Sequence, residues 1–218
     1  APSGRRPRGV RDPPALRAIG ARAPERRRVG PASTASLTAA WSPPDLVQCP
    51  AMATFTMTHD IDVDVDTFWK IFFDDEFNQT LFLKELQFPK WKLLDHKETE
   101  DTIVRQVEGV PKMDAPGPVA KALGSSFGYL EEGTFDKKTR TFRFKMKTTT
   151  MTEKLRNEGT VRVEPLGDKR CRRVVEIVAE AKVFGIGGLI ESSLEKSFRT
   201  GWGRSAEFIA TWAKQKGL

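Results

Sequence analysis

The chain has 218 residues, a formal net charge of +7, 39% hydrophobic residues and two cysteines. That length suits one domain of ordinary size with a tail, and a core of that size needs no staples. Cys49 and Cys171 lie far apart in unlike contexts, which argues against a disulfide framework or a Cys-rich zinc site and fits a reducing compartment; no run of about eighteen apolar residues is present to cross a membrane as a helix.

Residues 1–51 hold nine arginines, no lysine, three acids and nine of the fourteen prolines. The prolines forbid a long helix and the apolar residues have no period, so the segment is expected to be a disordered basic tail. Three origins stay open. It can be an upstream stretch, with the product beginning at Met52 of "MATFTMTHD". It can be a transit peptide, being Arg-rich and acid-poor, although such peptides are usually amphipathic helices. It can be a solvated basic arm for nucleic acid or anionic lipid. Residues 52–218 hold 27 basic and 26 acidic residues and are nearly neutral. A nucleic-acid reading of the domain needs a basic face, and none is hinted at.

From Met52 the pattern changes. "TFTMTHDI" alternates, placing Phe55, Met57, His59 and Ile61 on one face of a strand. "DVDTFWKIFFD" has helical spacing, with Val65, Phe68, Trp69, Phe72 and Phe73 on one side and Asp64 or Asp66 as cap. "EFNQTLFLKEL" predicts a second short helix carrying Phe77, Leu81 and Leu86. Three strand pairs follow, each around turn-type residues. "WKLLDHKE" and "TIVRQVEG" flank Thr99–Asp101. "SSFGYLEEGTF" and "TRTFRFKMKTTT" flank Asp136–Lys138. "EKLRNEGTVRVEP" and "CRRVVEIVAEAKVF" flank "LGDKR". From Gly188 to the end, Ile190, Leu194, Phe198, Trp202, Ile209 and Trp212 mark one long helix. Serial hairpins imply an antiparallel meander whose apolar face must be covered, and this helix is the only element long enough to cover it.

"VFGIGGLIESSLEKSF" puts Gly185, Gly187 and Gly188 between a strand and a helix, as a dinucleotide loop does. The context excludes that reading. A Rossmann loop opens a βαβ unit with a later parallel strand and acid, and a P-loop continues into Gly-Lys-Ser/Thr. Here the helix runs to the end. The glycines are expected to be a joint that lays the helix across the sheet, with Gly187 or Gly188 at positive φ.

This element order, "VDVDTFWKIFFD" after the first strand, "VFGIGGLIESSLEKSF" at the last helix and "VPKMDAPGPVAKALG" between the third and fourth strands resemble the START-like (SRPBCC) superfamily. Within it the chain is similar to a bacterial branch of unknown function. The likeness covers about residues 53–214. It implies an α+β helix-grip fold: a curved antiparallel sheet of about seven strands, two short helices after the first, and a long C-terminal helix over the sheet. It also implies a cavity between sheet and helix for a lipid, sterol or polyketide-like molecule. The superfamily has no shared catalytic motif to carry over.

Alternation gives the residues that would line such a cavity. Val175, Ile177, Ala179, Ala181 and Val183 share one face of the last strand, and Phe142, Phe144 and Met146 share one face of the fifth. The other inward sets are Ile103, Arg105 and Val107; Phe127, Tyr129, Glu131 and Phe135; and Leu155, Asn157, Val161 and Val163. Phe198 and Trp202 would face the sheet from the helix. Five polar residues stand on this apolar face: His59, Arg105, Tyr129, Glu131 and Asn157. Arg105 and Glu131 fall on neighbouring strands and can pair. The bland reading of the five is a structural ion pair and satisfied core groups. The functional reading is a polar patch orienting a ligand. His59 with Glu131 would suit proton transfer.

The sequence thus predicts a non-catalytic binder of a hydrophobic small molecule, without cofactor, metal or nucleic acid. His96 is expected to be exposed. A carrier of this kind would touch membranes transiently. Its expected location is the cytoplasm, or an organelle if residues 1–51 are a transit peptide. Two alternatives stay open: a polyketide-cyclase-like enzyme using His59 and Glu131, and an interaction module whose cavity is filled. Val110–Ser126, with Val119, Ala122 and Leu123 forming a helical turn, would gate the cavity mouth.

Overall fold

The computed structural model describes residues 53–218 apart from Met113; the tail and its boundary at Met52 lie outside the described residues. Strand β1 (Ala53–Ile61) buries Phe55, Met57 and Ile61 and exposes the intervening threonines, as its alternation requires. Helix α1 (Val65–Phe72) starts at Asp64, not Asp66. The Asp64 carboxylate accepts from the Asp66 and Thr67 amides, both at 2.9 Å. That satisfies two of the orphan donors of the first turn. The helix buries Phe68, Trp69, Ile71 and Phe72.

The single short helix expected over "EFNQTLFLKEL" is two pieces. Helix α2 (Asp75–Gln79) is capped by Asp74, and a π-helical stretch (Thr80–Glu85) follows. Its wider turn closes with the Leu86 amide on the Leu81 carbonyl. This buries Leu81 and lets Phe82 stack on Trp91 at 5.3 Å. Apolar spacing does not reveal such a turn, because a single widened turn offsets the pattern by only about one residue.

Next come β2 (Lys90–Glu98), β3 (Thr102–Val110), helix α3 (Gly117–Leu123), β4 (Tyr129–Asp136), β5 (Thr141–Thr148), β6 (Leu155–Pro165), β7 (Cys171–Ala181) and helix α4 (Gly187–Lys216). The sheet has seven strands in the order β1-β7-β6-β5-β4-β3-β2, every pair antiparallel. The three hairpins therefore form as the turns foretold, and β1 closes the far edge against β7. This is the α+β helix-grip architecture.

The joint into α4 works differently from expectation. The positive φ falls on Gly185, at 76°, and neither Gly187 nor Gly188 shares it. Gly187 is required for space, because a Cβ there would stand 2.5 Å from the Ala181 carbonyl oxygen. Gly188 has no neighbour within 4 Å of such a Cβ and carries no constraint.

Two hydrophobic clusters hold the inner face. The larger joins α1, α2 and the C-terminal half of α4 to the sheet centre. The smaller gathers Val119 and Leu123 of α3 with Phe127, Leu155, Ala181 and Ile190. Two assignments shift. Val183 lies beyond the end of β7 and is only partly buried, and Phe127 precedes β4 while remaining buried. Glu180, which alternation sets on the face of β7 opposite Ala179 and Ala181, is nonetheless buried.

Candidate functional site

The pairing register sorts the inward residues into rows that cross the sheet. One row runs Ala179 (β7), Asn157 (β6), Met146 (β5), Glu131 (β4) and Val107 (β3). The next runs Phe55, Ile177, Gly159, Phe144, Gly133 and Arg105. Seven of the expected site residues stand in these two rows: Arg105, Glu131, Phe144, Met146, Asn157, Ile177 and Ala179. Phe142 is two places along β5 from Phe144, and Tyr129 two places along β4 from Glu131. Helix α4 brings Phe198 to 6.2 Å from Phe55 and Trp202 to 6.4 Å from Phe144, ring to ring.

Arg105 and Glu131 form the pair that the sequence allowed. Arg105 donates to Glu131 Oε1 from Nη2 at 3.0 Å and from Nε at 3.2 Å, and both residues are about nine-tenths buried. The guanidinium also lies 4.7 Å from the ring centres of both Phe72 and Phe142, and Nη1 approaches the Phe72 carbonyl at 3.4 Å. The buried cation is thus neutralised and stacked, the condition under which such burial is tolerated. Burial and the Glu131 charge hold the Tyr129 phenol far above its ordinary range, with Arg105 opposing, so it stays protonated.

Asn157 is unlike its neighbours. It is buried between Ala179 and Met146, and among the described residues no donor reaches its Oδ1. Its row lies where the two hydrophobic clusters meet, and Leu194 of α4 packs against both. Met146, Leu194, Phe198 and Trp202 are only partly buried, although all face this space. Strands β5 and β6 position Met146 and Asn157 by alternation alone, while α4 supplies the roof through its four- and three-residue steps.

His59 is not part of this arrangement. It lies on β1, and three strands separate it from Glu131, roughly 19 Å along the sheet at about 4.8 Å per strand. The proton-transfer pair imagined from sequence is therefore not assembled. His59 faces Arg173 across the β1–β7 ladder. Burial first, and the Arg173 charge second, push its pKa down to about 4. Arg173 itself is fully buried, and burial lowers its pKa to about 9. Sequence reading missed Arg173, yet the signal was present: it stands two places before Val175 on the same face of β7. His96 is exposed, as expected.

Two concavities stand out among the described residues, and neither lies between α4 and the inner face. One of about 360 Å³ is a surface hollow beside Arg204 and Phe208. The other, about 790 Å³, opens mainly on the opposite face of the sheet, among Gln106, Glu132, Lys145 and Glu158. On the inner face, Phe142 lies against Gly133 and Phe144 against Gly159, where added Cβ atoms would stand 2.2 and 2.7 Å from those rings. Among the described residues, no group of three or more His, Cys, Asp or Glu is placed to hold a metal, and no helix is long and apolar enough to cross a membrane.

A seven-stranded antiparallel sheet gripped by a long C-terminal helix, with short helices after β1, defines the START-like, or helix-grip, fold. The same fold is seen in the ZhuI aromatase/cyclase from Streptomyces sp. R1128, at 12% identity and a TM-score of 0.53 over 77% of this chain and 96% of that one. The protein TTHA0849 from Thermus thermophilus matches at 16% identity and 0.55, over 76% and 99%. Norcoclaurine synthase from Thalictrum flavum, whose structure holds dopamine and hydroxybenzaldehyde, matches at 12% and 0.52, over 75% and 88%. No curated protein matches at significant similarity. Residues 56–213 match the family described as "Protein of unknown function (DUF2505)", and the chain belongs to that family.

Proposed function

We propose that the domain binds an apolar small molecule carrying a hydrogen-bonding group, and holds it without chemistry under the N-terminal half of α4. The observation that carries this reading is the Asn157 row. A buried amide oxygen with no donor among the described residues stands between Ala179 and Met146, at the seam of two hydrophobic clusters. Burying such an acceptor unpaired costs about 1–3 kcal/mol. A ligand hydroxyl or amide would recover that cost, while the partly buried Met146, Phe198 and Trp202 swing aside to make room. The separation of His59 from Glu131 favours a carrier, sensor or store over a cyclase. The domain acts in the cytoplasm on this reading, and a carrier would load by brief contact with a membrane.

The close packing of the Phe142 and Phe144 rings on Gly133 and Gly159 favours a second reading, in which the domain is an interaction module and takes no ligand. One experiment separates the two. A panel of fatty acids, fatty alcohols, sterols and aromatic polyketides is screened by thermal shift. A ligand at a hundredfold excess over its Kd stabilises by about 2.7 kcal/mol, or roughly 5–10 °C for a chain of this size. Ala179→Phe should abolish the shift, because its ring takes the volume beside Asn157. Compounds recovered unchanged after long incubation support binding alone. If no compound shifts the protein and Ala179→Phe stabilises it, the interaction module replaces this proposal. If a compound is converted, the enzyme reading does.

A further inference from the structure

A second polar pair lies on the inner face, away from the Asn157 row. His59 and Arg173 stand directly opposite each other on β1 and β7. Arg173 is completely buried. Its Nη1 donates to the Ser205 hydroxyl at 3.1 Å and its Nη2 to the Trp202 carbonyl, and its guanidinium lies 4.8 Å from the Trp202 ring centre. All of these partners are neutral. Its Nε, and Nδ1 of the neighbouring His59, are buried and meet no hydrogen-bond partner among the described residues. Among the described residues, Arg105, the other buried arginine, has a carboxylate partner and Arg173 has none. A buried cation held only by neutral groups keeps much of its desolvation cost, and a counter-anion is what removes it.

The cover of this pair is built to bend. Trp202 sits between Gly201 and Gly203 inside α4, and neither glycine has an atom within 4 Å of where a Cβ would stand. Packing does not require glycine there, and two glycines in a helix interior cost stability relative to alanine. They leave the helix deformable at the one side chain stacked on Arg173.

We propose that Arg173 Nε and His59 Nδ1 form an oxyanion site beneath Trp202, which takes one carboxylate or a similar oxyanion. The Arg173 Nε–H donates to one anion oxygen. His59, with its proton on Nδ1, donates to the other. The anion supplies the counter-charge that the fold omits. It is either a free ion or the head group of an amphiphile whose chain lies under α4. In the second case the inference rests on the binding function proposed above and makes the ligand an acid, not an alcohol or sterol.

The test uses the full chain, labelled with ¹⁵N, and reads the arginine Nε–H resonances. That of Arg173 is identified by its loss in Arg173→Lys. Sodium acetate and sodium phosphate are titrated against sodium chloride of equal ionic strength. Palmitate is then compared with 1-hexadecanol, in the wild type and in His59→Leu, which keeps an apolar side chain of similar size in case Arg173→Lys fails to fold. A shift of the Arg173 resonance by acetate or phosphate, without preference between the amphiphiles, supports a free-ion site. Palmitate binding about tenfold or more tighter than hexadecanol, as a charge-assisted hydrogen bond gives, with that preference lost in His59→Leu, supports a head-group site. Equal affinity for both amphiphiles together with an Arg173 resonance that no anion moves overturns the inference and leaves the binding function standing. If neither amphiphile binds, that reading loses its support, and the acetate and phosphate titrations still decide this one.

Discussion

The joint into α4 offers three neighbouring glycines with three different physical roles, so alanine at each should give a different result. Gly185 has φ 76°, where a Cβ crowds the following carbonyl. Gly185→Ala should cost about 1–2 kcal/mol. Gly187 has an ordinary backbone but faces the Ala181 carbonyl oxygen, 2.5 Å from where the Cβ would be. That oxygen belongs to the end of β7 and cannot rotate away, so Gly187→Ala should cost about 1–3 kcal/mol through forced displacement. Gly188 lies in the first turn of α4 with open space around it. Gly188→Ala should be neutral or stabilising by up to about 1 kcal/mol, since alanine loses less entropy in a helix. Each kcal/mol corresponds to roughly 2–4 °C in Tm for a chain of this length. Urea unfolding followed by circular dichroism, with Tm from a thermal scan, reads all three. Equal losses at Gly185 and Gly188 would refute the argument, because they would show that the joint does not discriminate between backbone strain, crowding and open space.

The Arg105–Glu131 pair predicts a non-additive pattern. Glu131→Gln should destabilise by about 3–5 kcal/mol through an uncompensated buried guanidinium, while the double change Arg105→Met with Glu131→Leu should recover most of it in a denaturation cycle. Asn157→Leu should cost less than about 1 kcal/mol, because no donor among the described residues is lost, yet it should weaken binding of any hydroxylated ligand found by thermal shift. His59 has its pKa lowered from 6.5 to about 4. The unfolded chain therefore binds the proton more readily, and full stability is present above pH 6.5 and lost as pH falls towards 4. His59 is half-buried, so the loss should be about 1–2 kcal/mol, read as the difference in pH–stability curves between wild type and His59→Leu. Amides in α3 and its flanking loops should exchange faster than those of β3 and β4 and slow on ligand binding, as measured by hydrogen exchange.

Local pattern made much of this fold legible. The two-residue alternation of β5 and β7 named Phe142, Phe144, Val175, Ile177 and Ala179 as inward, and all are buried. The turns at Thr99–Asp101 and Asp136–Lys138 set the hairpins. Aspartate before "VDTFWKIF" marked the start of α1, because a short carboxylate side chain reaches the free amides only from that position. Alternation also put Arg105, Tyr129, Glu131 and Asn157 on the inner face, and the Arg105–Glu131 pair followed from strand adjacency. Even Arg173 was within reach, since it shares parity with Val175.

Other features depend on long-range placement, which sequence spacing does not carry. Only the strand order put β1 beside β7, and that set His59 against Arg173 and far from Glu131. Which glycine takes the positive φ depends on how the end of β7 meets α4, a tertiary fit with no one-dimensional signature. How much space remains under α4 is decided the same way. Parity says which rings face inward, but whether they enclose a void or close it depends on backbone approach at Gly133 and Gly159, where Phe142 and Phe144 lie against bare strand. The sequence determined which residues meet the interior, because side-chain direction is fixed by local periodicity. The tertiary structure decided which of them meet one another, because that rests on register, strand order and packing between residues as far apart as β1 and α4.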